Sequence, residues 1–299
     1  MRKITIGLFF MKDKPRGIEL AKRIVGCKYE GFDVLFAPGA GVFDGDLEAL
    51  GVPPERRGRL EDAAVALSIG GDGTFLRAAR AIRDLRVPIY GVNAGRLGFL
   101  ALGHADSAER DLRRILNGDY GILSRIPIKG SLLRGGKPFL EMYALNEITV
   151  TKGPCARPIE LGVSVEEGAI YNFLADGVIV STPTGSTAYA LSAGGPIVHP
   201  DVKCVLIAPI CPHSLYSRPV ILGQDATVFV DAHGEEGGVF LAADGQLHVR
   251  MEEGDRIRVA LDVMNAIDVI TLDMHSYYEI LRDKLGWGKN NLGSRGVPE

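Results

Sequence analysis

Several large protein classes leave marks that this chain lacks. Its four cysteines, at 27, 155, 204 and 211 of 299 residues, show neither paired C-x-x-C spacing nor disulfide density. Reduced thiols and a cytoplasmic location are therefore expected. No apolar run approaches the roughly 18 residues of a membrane span. The N-terminal MRKITIGLFFMKDK has a basic start, but its apolar run is too brief for a signal peptide and has no small-residue cleavage site. A formal net charge of −3 points to neither nucleic acid nor a membrane surface. There is no G-x-x-x-x-G-K-[ST], which excludes a P-loop hydrolase, and no G-x-G-x-x-G, the usual dinucleotide fingerprint. The protein-kinase signatures and the nucleophile elbow G-x-S-x-G are missing as well. The six histidines show no metal-ligand spacing, so no metal-ligating side chain is expected. No fixed-period repeat or low-complexity segment interrupts an ordinary globular composition.

What is present is organised around residues 63–85, AAVALSI-GGDGT-FLRAARAIRDL. The short apolar run suits a buried strand. Gly70, Gly71 and Gly73 permit a sharp turn beside a ligand, and Thr74 is placed to cap a helix with Leu76, Ala79, Ala81 and Ile82 on one face. A strand, a glycine turn and a helix N-terminus make a phosphate site, because unpaired N–H groups point at the anion. Asp72 is the anomaly, since a carboxylate repels phosphate. Either a metal ion or a substrate hydroxyl uses it.

The start of the chain reads as strand (Ile4, Ile6, Leu8, Phe10), helix (15–25), strand (32–37) and a Gly/Pro/Asp-rich loop (38–58). A further strand at 87–92 runs into NAGRLGFL at 93–100. Another helix is expected at 107–116, capped by Asp106 with Glu109 three residues on. This alternation predicts an α/β domain with a parallel sheet and flanking helices, whose ligands sit at the carboxyl ends of the strands. From residue 121 the texture changes to short strands without helices, which predicts a β-rich, sandwich-like domain. The expected division is 1–120, 121–272 and a terminal segment 273–299 that carries a helix at 276–285 and returns to the first domain.

The second chemical stretch is 175–196, ADGVIVSTPTGSTAYALSAGGP. It combines Asp176, a hydroxyl-rich turn (Ser181, Thr182, Thr184, Ser186, Thr187) and Gly185, Gly194 and Gly195. Such a loop either binds ribose, phosphate or adenine edges or folds on its own hydrogen bonds. Asn146-Glu147 breaks a strand-like run as a surface bulge or a ribose-binding pair. Arg77 and Arg157 read as solvated charges, Gln246 as a turn residue, and Cys204 and Cys211 as core strand residues.

Together these stretches resemble the NAD kinase family. GGDGT at 70–74, NAGRLGFL at 93–100, Asn146-Glu147 and DGxxxSTPTGSTAYxLSAGGP from Asp176 occur in the family's order and spacing, and DKLGW at 283–287 resembles the ending of bacterial members. GGDGT is shared with phosphofructokinases and lipid kinases; the long motif is specific. The resemblance implies transfer of the γ-phosphate of ATP, with a divalent cation (Mg²⁺), to the 2′-hydroxyl of the adenosine ribose of NAD. It makes Asp72 the proton acceptor and catalytic residue, with Gly73 beside it. It places Asn146, Glu147, Asp176, Thr187, Ala188, Tyr189, Ala190, Leu191 and Ser192 on bound NAD, with Arg77, Arg157 and Gln246 at further contact positions. Leu174 departs from relatives that carry a basic residue there, which bears on NAD against NADH. Family members are homo-oligomers, so a homodimer or homotetramer is expected, with no nucleic-acid or membrane partner. The alternatives are a sugar- or lipid-directed kinase that shares GGDGT and a nucleotide-sensing module without catalysis.

Overall fold

The computed structural model describes residues 1–95, 98–154, 157–234, 237–272 and 277–286. Arg96 and Leu97 of NAGRLGFL, Cys155, Ser276 and Trp287 lie outside them.

The first half alternates strand and helix. It contains β1 (Arg2–Phe10), α1 (Pro15–Gly26), β2 (Phe32–Pro38), α2 (Asp44–Ala49), β3 (Ala63–Gly70), α3 (Asp72–Ile82), β4 (Ile89–Asn93), β5 (Gly103–His104), α4 (Ala108–Leu116) and β6 (Gly121–Arg125). β2, β1, β3 and β4 lie side by side, all parallel. β1 is central, which explains why all residues from Ile6 to Phe10 are buried rather than alternating. Helix α1 begins with Pro at its first turn, where a missing N–H costs nothing. Its apolar positions Leu20, Ala21, Ile24 and Val25 are buried in the core.

The second half is antiparallel. Strands β7 (Ile128–Arg134), β8 (Lys137–Ala144), β9 (Glu147–Lys152), β10 (Ile159–Val165), β11 (Gly168–Ala175) and β12 (Gly177–Ser181) precede the short helix α5 (Tyr189–Ser192). Then come β13 (Cys204–Ile210), β14 (Val220–Gly223), β15 (Val228–His233), β16 (Val239–Ala243), β17 (Leu247–Met251), β18 (Arg256–Leu261), β19 (Ile267–Thr271) and α6 (Tyr277–Leu285). Two six-stranded sheets result, β11-β10-β15-β18-β7-β8 and β14-β13-β12-β9-β16-β17. Their inner faces share one core, with Leu132, Leu161, Val230 and Ile257 from the first and Val150, Val180, Ile207 and Leu241 from the second. This is the expected β sandwich set after an α/β domain.

The first sheet is not wholly parallel, and the chain crosses between domains earlier and later than the composition suggests. β19 pairs in parallel with β4, and β6 closes the edge antiparallel to β19. Both strands fall within 121–272 yet belong to the first sheet. Composition misses this because a short apolar strand looks the same in either domain.

Three local expectations are corrected. The loop at 38–58 contains α2, whose Asp46 carboxylate accepts from the Phe43 N–H at 2.8 Å and whose Leu47 is buried beside Val42, Leu50 and Val52. Helix α4 begins one residue later than expected, with Ser107 at the cap position, and Glu109 pairs with Arg23 across to α1 instead of closing a box. Thr74 does not cap α3. Gly71 holds that position, and Thr74 is buried inside the first turn.

Candidate active site

Strand β3 ends at Gly70, the one glycine of the turn with positive φ (157°); Gly71 is extended and Gly73 is helical. A side chain at Gly70 would meet the Thr74 hydroxyl at 2.4 Å, so the turn closes on itself there. Asp72 is therefore the first helical residue of α3. Its carboxylate turns back to the loop after β4, accepting N–H bonds from Phe99 (2.9 Å, on Oδ2), Leu100 (3.1 Å, on Oδ1) and Ala101 (3.2 Å, on Oδ1). The GGDGT and NAGRLGFL stretches thus meet through one side chain. Gly98 is required beside it, because a Cβ there would lie 1.9 Å from Oδ1.

Helix α3 buries Phe75, Leu76, Ala78, Ala79 and Ile82. The buried face is wider than the one read from sequence because the helix is covered by its own sheet and by Leu145 of the second half. Each fully buried Leu, Ile or Phe contributes about 1.5–3 kcal/mol, which fixes the turn's foundation.

Asn146-Glu147 is neither a bulge nor part of one long strand. It is the corner at which the chain leaves β8 in one sheet and enters β9 in the other. The corner's backbone is fully held. Leu145 and Asn146 donate to Asp244 at 3.1 and 2.8 Å, and the Asn146 carbonyl accepts from Thr182 N–H at 2.8 Å and the Ser181 hydroxyl at 3.1 Å. Glu147 is buried, and its Oε2 has no hydrogen-bond partner among the described residues. Burial, reinforced by the nearby Asp244 charge and offset in part by the Tyr189 N–H, pushes its carboxyl up to about 8. A buried, protonated carboxyl with a free oxygen is expensive to maintain without a ligand to use it.

The hydroxyl-rich loop after β12 divides into two parts. Ser181, Thr182 and Ser186 are fully buried and bond within the protein: Thr182 to the Leu145 carbonyl at 2.6 Å, Ser186 to the Pro183 and Val198 carbonyls. Gly185 packs against the Asn146 carbonyl, 2.2 Å from where a Cβ would stand. These residues are the loop's own scaffold, as the self-bonded alternative had it. Thr187, Ala188, Tyr189, Leu191 and Ser192 are the accessible part, while Ala190 is buried beneath them. The Tyr189 hydroxyl is pushed up by burial and then by the charges of Cys211, Asp176 and Glu147, which puts all three within its field. Asp176, between β11 and β12, pairs with Lys152 at 3.1 Å.

Gln246 connects the halves. It sits in the β16–β17 turn, where Asp244 and Gly245 both have positive φ (51° and 61°), as an Asp-Gly hairpin favours. Its side-chain amide donates to the Gly73 carbonyl at 2.9 Å. Gly73 and Gln246 are thereby joined directly, and Asn146 and Glu147 are tied to the same turn through Asp244. Arg77 is held elsewhere, donating to the Phe10 carbonyl at the end of β1 at 2.7 Å. Arg157 lines a separate cavity of about 860 Å³ with Leu174, His233 and Arg250. Sequence reasoning missed Asp244 and Arg80, which pair at 3.7 Å. Asp-Gly in a hairpin looks like ordinary turn chemistry, and an arginine on a helix like a solvated charge.

A GGDGT turn at the carboxyl ends of parallel strands, joined through Gln246 to a β sandwich that carries the Asn146-Glu147 corner, gives a two-domain architecture of nucleotide-binding type. Residues 56–120 match the ATP-NAD kinase N-terminal domain and residues 145–265 the ATP-NAD kinase C-terminal domain. The NAD kinase of Geotalea daltonii is 41% identical over 229 residues, covering 77% of this chain and 80% of that protein. That of Heliobacterium modesticaldum is 36% identical over 286 residues, 95% and 99% of the two chains. The crystal structure of an NAD kinase from Archaeoglobus fulgidus in complex with ATP matches with a TM-score of 0.66 at 26% identity, covering 96% of this chain and 99% of that one. Yeast NADH kinase complexed with NADH shares the fold, with a TM-score of 0.82 at 23% identity over 100% and 91% of the chains. The chain belongs to the ATP-NAD kinase family.

Proposed function

We infer that the chain is an NAD kinase, transferring the γ-phosphate of ATP to the 2′-hydroxyl of the adenosine ribose of NAD to give NADP and ADP. The family supports the reaction, and the surroundings of Asp72 support where it occurs. An ionised carboxylate has about four acceptor sites. Three are taken by Phe99, Leu100 and Ala101, two on Oδ1 and one on Oδ2. The remaining site on Oδ2 suits a single hydroxyl donor, and the three N–H bonds keep the carboxylate from turning away. That is the observation that carries the assignment.

Phosphoryl transfer is catalysed mainly by positioning and charge neutralisation. Asp72 accepts the hydroxyl proton and, more importantly, aims the oxygen. General-base help is worth about 10²–10⁴-fold, but a carboxylate is a weak base for an alcohol, and fixing the nucleophile in line supplies a comparable gain. NAD lies across the cleft on Gly73, Asn146, Glu147, Asp176, residues 187–192 and Gln246, with Arg77 and Arg157 as outer contacts. Below about pH 8 the protonated Glu147 offers a hydrogen-bond donor to it.

The divalent cation, Mg²⁺, neutralises the donor's phosphates when bound. Among the described residues no three His, Cys, Asp or Glu side chains converge into a cage. Mg²⁺ is commonly held by one or two carboxylates together with substrate phosphates, so the cation is assigned here to the phosphates of bound ATP. Among the described residues no helix is long and apolar enough to cross a membrane. We place the protein in the cytoplasm as a homodimer or homotetramer. The open sandwich edges and the exposed pair Leu215 and Tyr216 are surfaces that a second copy would cover.

Supplying ATP and Mg²⁺ with NAD, a hexose phosphate or a diacylglycerol, and reading NADP with an NADP-specific dehydrogenase, tests the assignment. NADP is the expected product. Phosphorylation of the sugar or lipid would favour the alternative kinases, and NAD binding without product would favour a sensor.

A further inference from the structure

We propose that Asp244 is a positioning residue for NAD phosphorylation: from the β16–β17 turn it holds the Asn146-Glu147 corner and ties that corner to the helix of the GGDGT turn. The proposal rests on the NAD kinase reading above and assigns a role to a residue outside the set expected to touch NAD.

The Asp244 side chain is only 2% exposed. Oδ1 accepts from Asn146 N–H at 2.8 Å and Oδ2 from Leu145 N–H at 3.1 Å, while its own N–H donates to the Glu147 carbonyl at 3.0 Å. The corner between the two sheets is thus bound from both sides by one residue. Its carboxylate takes up the Leu145 and Asn146 N–H groups, which lie between β8 and β9 where the chain changes sheets. On its other side the carboxylate faces Arg80 at 3.7 Å. Arg80 lies on α3, whose first residue is Asp72, and its Nε and Nη2 have no hydrogen-bond partner among the described residues. The guanidinium is therefore set toward Asp244 by charge alone, in a half-buried site where opposite charges attract more strongly than in water. Two residues beyond Asp244, Gln246 reaches the Gly73 carbonyl. One turn therefore carries both ties between the corner and GGDGT.

Burial holds the Asp244 carboxyl above the ordinary aspartate range, and the N–H groups of Asn146 and Leu145 and the Arg80 guanidinium offset that only in part. Asp72 is used in the same way in the first domain, capping three successive N–H groups at 99–101. The difference is that Asp72 is partly exposed at the start of α3, whereas Asp244 is buried.

The test is Asp244→Asn in the full-length enzyme. Asn keeps the size and tolerates the positive φ of 51°, but it replaces one acceptor oxygen with an NH₂ that confronts an N–H or Arg80. The expected result is a KM for NAD raised by about tenfold or more, as displacement of a positioned group produces, with KM for ATP changed far less and the protein folded by circular dichroism. Unchanged KM for NAD, with kcat reduced only in proportion to the folded fraction, would mark Asp244 as a structural residue and overturn the proposal. Arg80→Gln leaves the corner's hydrogen bonds in place and provides a second route. Its loss in kcat/KM for NAD should combine less than additively with that of Asp244→Asn, because both act on one network. Fully additive losses would contradict the coupling. Failure of the unsubstituted enzyme to make NADP would instead remove the functional reading itself.

Discussion

Gly98 stands so close to Asp72 that a Cβ on it would fall 1.9 Å from Oδ1. The contact places a glycine under the carboxylate for a steric reason, and it joins the two sequence motifs of the first domain. Gly98→Ala forces the Asp72 side chain to rotate and give up some of its three N–H bonds. The expected outcome is a loss of about 10² in kcat with KM for ATP little changed, and a stability loss of about 1–3 kcal/mol from the unpaired N–H groups. Steady-state kinetics and urea unfolding measure the two parts.

Glu147 makes stability depend on pH in an uncommon direction. Its folded carboxyl is raised from 4.5 to about 8, so between those values the folded protein keeps a proton that the unfolded chain has lost. This contribution is fully present below pH 4.5, falls as pH rises through the window, and is gone above 8. Its ceiling is about 5 kcal/mol, reduced by whatever solvent reaches the group. Glu147→Gln should have a flatter profile of melting temperature between pH 5 and 8. Identical slopes in the two proteins would show that Glu147 is ionised throughout.

Gln246 supplies a side-chain hydrogen bond from the second domain to the GGDGT turn. A single such bond is worth about 0.5–1.5 kcal/mol net. Gln246→Ala should therefore raise KM for NAD by about 2–10-fold and leave the melting temperature within a few degrees. A larger loss of stability than of NAD affinity would place the bond's importance in domain packing.

Much of this was legible in the sequence for identifiable reasons. The period of the apolar residues separated the α/β half from the β half, and glycine, proline and hydroxyl residues marked both loops. What stayed hidden depended on partners distant in the chain. β6 and β19 are ordinary apolar strands, and only their pairing with each other and with β4 puts them in the first sheet. The role of Asn146-Glu147 as a corner between sheets needs both sheet orders. The hydroxyls at 181, 182 and 186 suit either a ligand or the loop's own hydrogen bonds in the sequence, and only their burial decides for the latter. Arg77, which donates to the Phe10 carbonyl, and Arg157, which lines a cavity beside Leu174, are singled out by resemblance alone, because an arginine carries no such signal in its own spacing.

The central claim is that Asp72 addresses the ribose hydroxyl of NAD. Single-turnover formation of NADP by Asp72→Asn, with saturating ATP, Mg²⁺ and NAD, tests it most directly. Asn keeps the shape of the turn but holds one acceptor oxygen where Asp has two. The account predicts a chemical step slowed by about 10² or more with NAD still bound. A near-normal rate of NADP formation would contradict it.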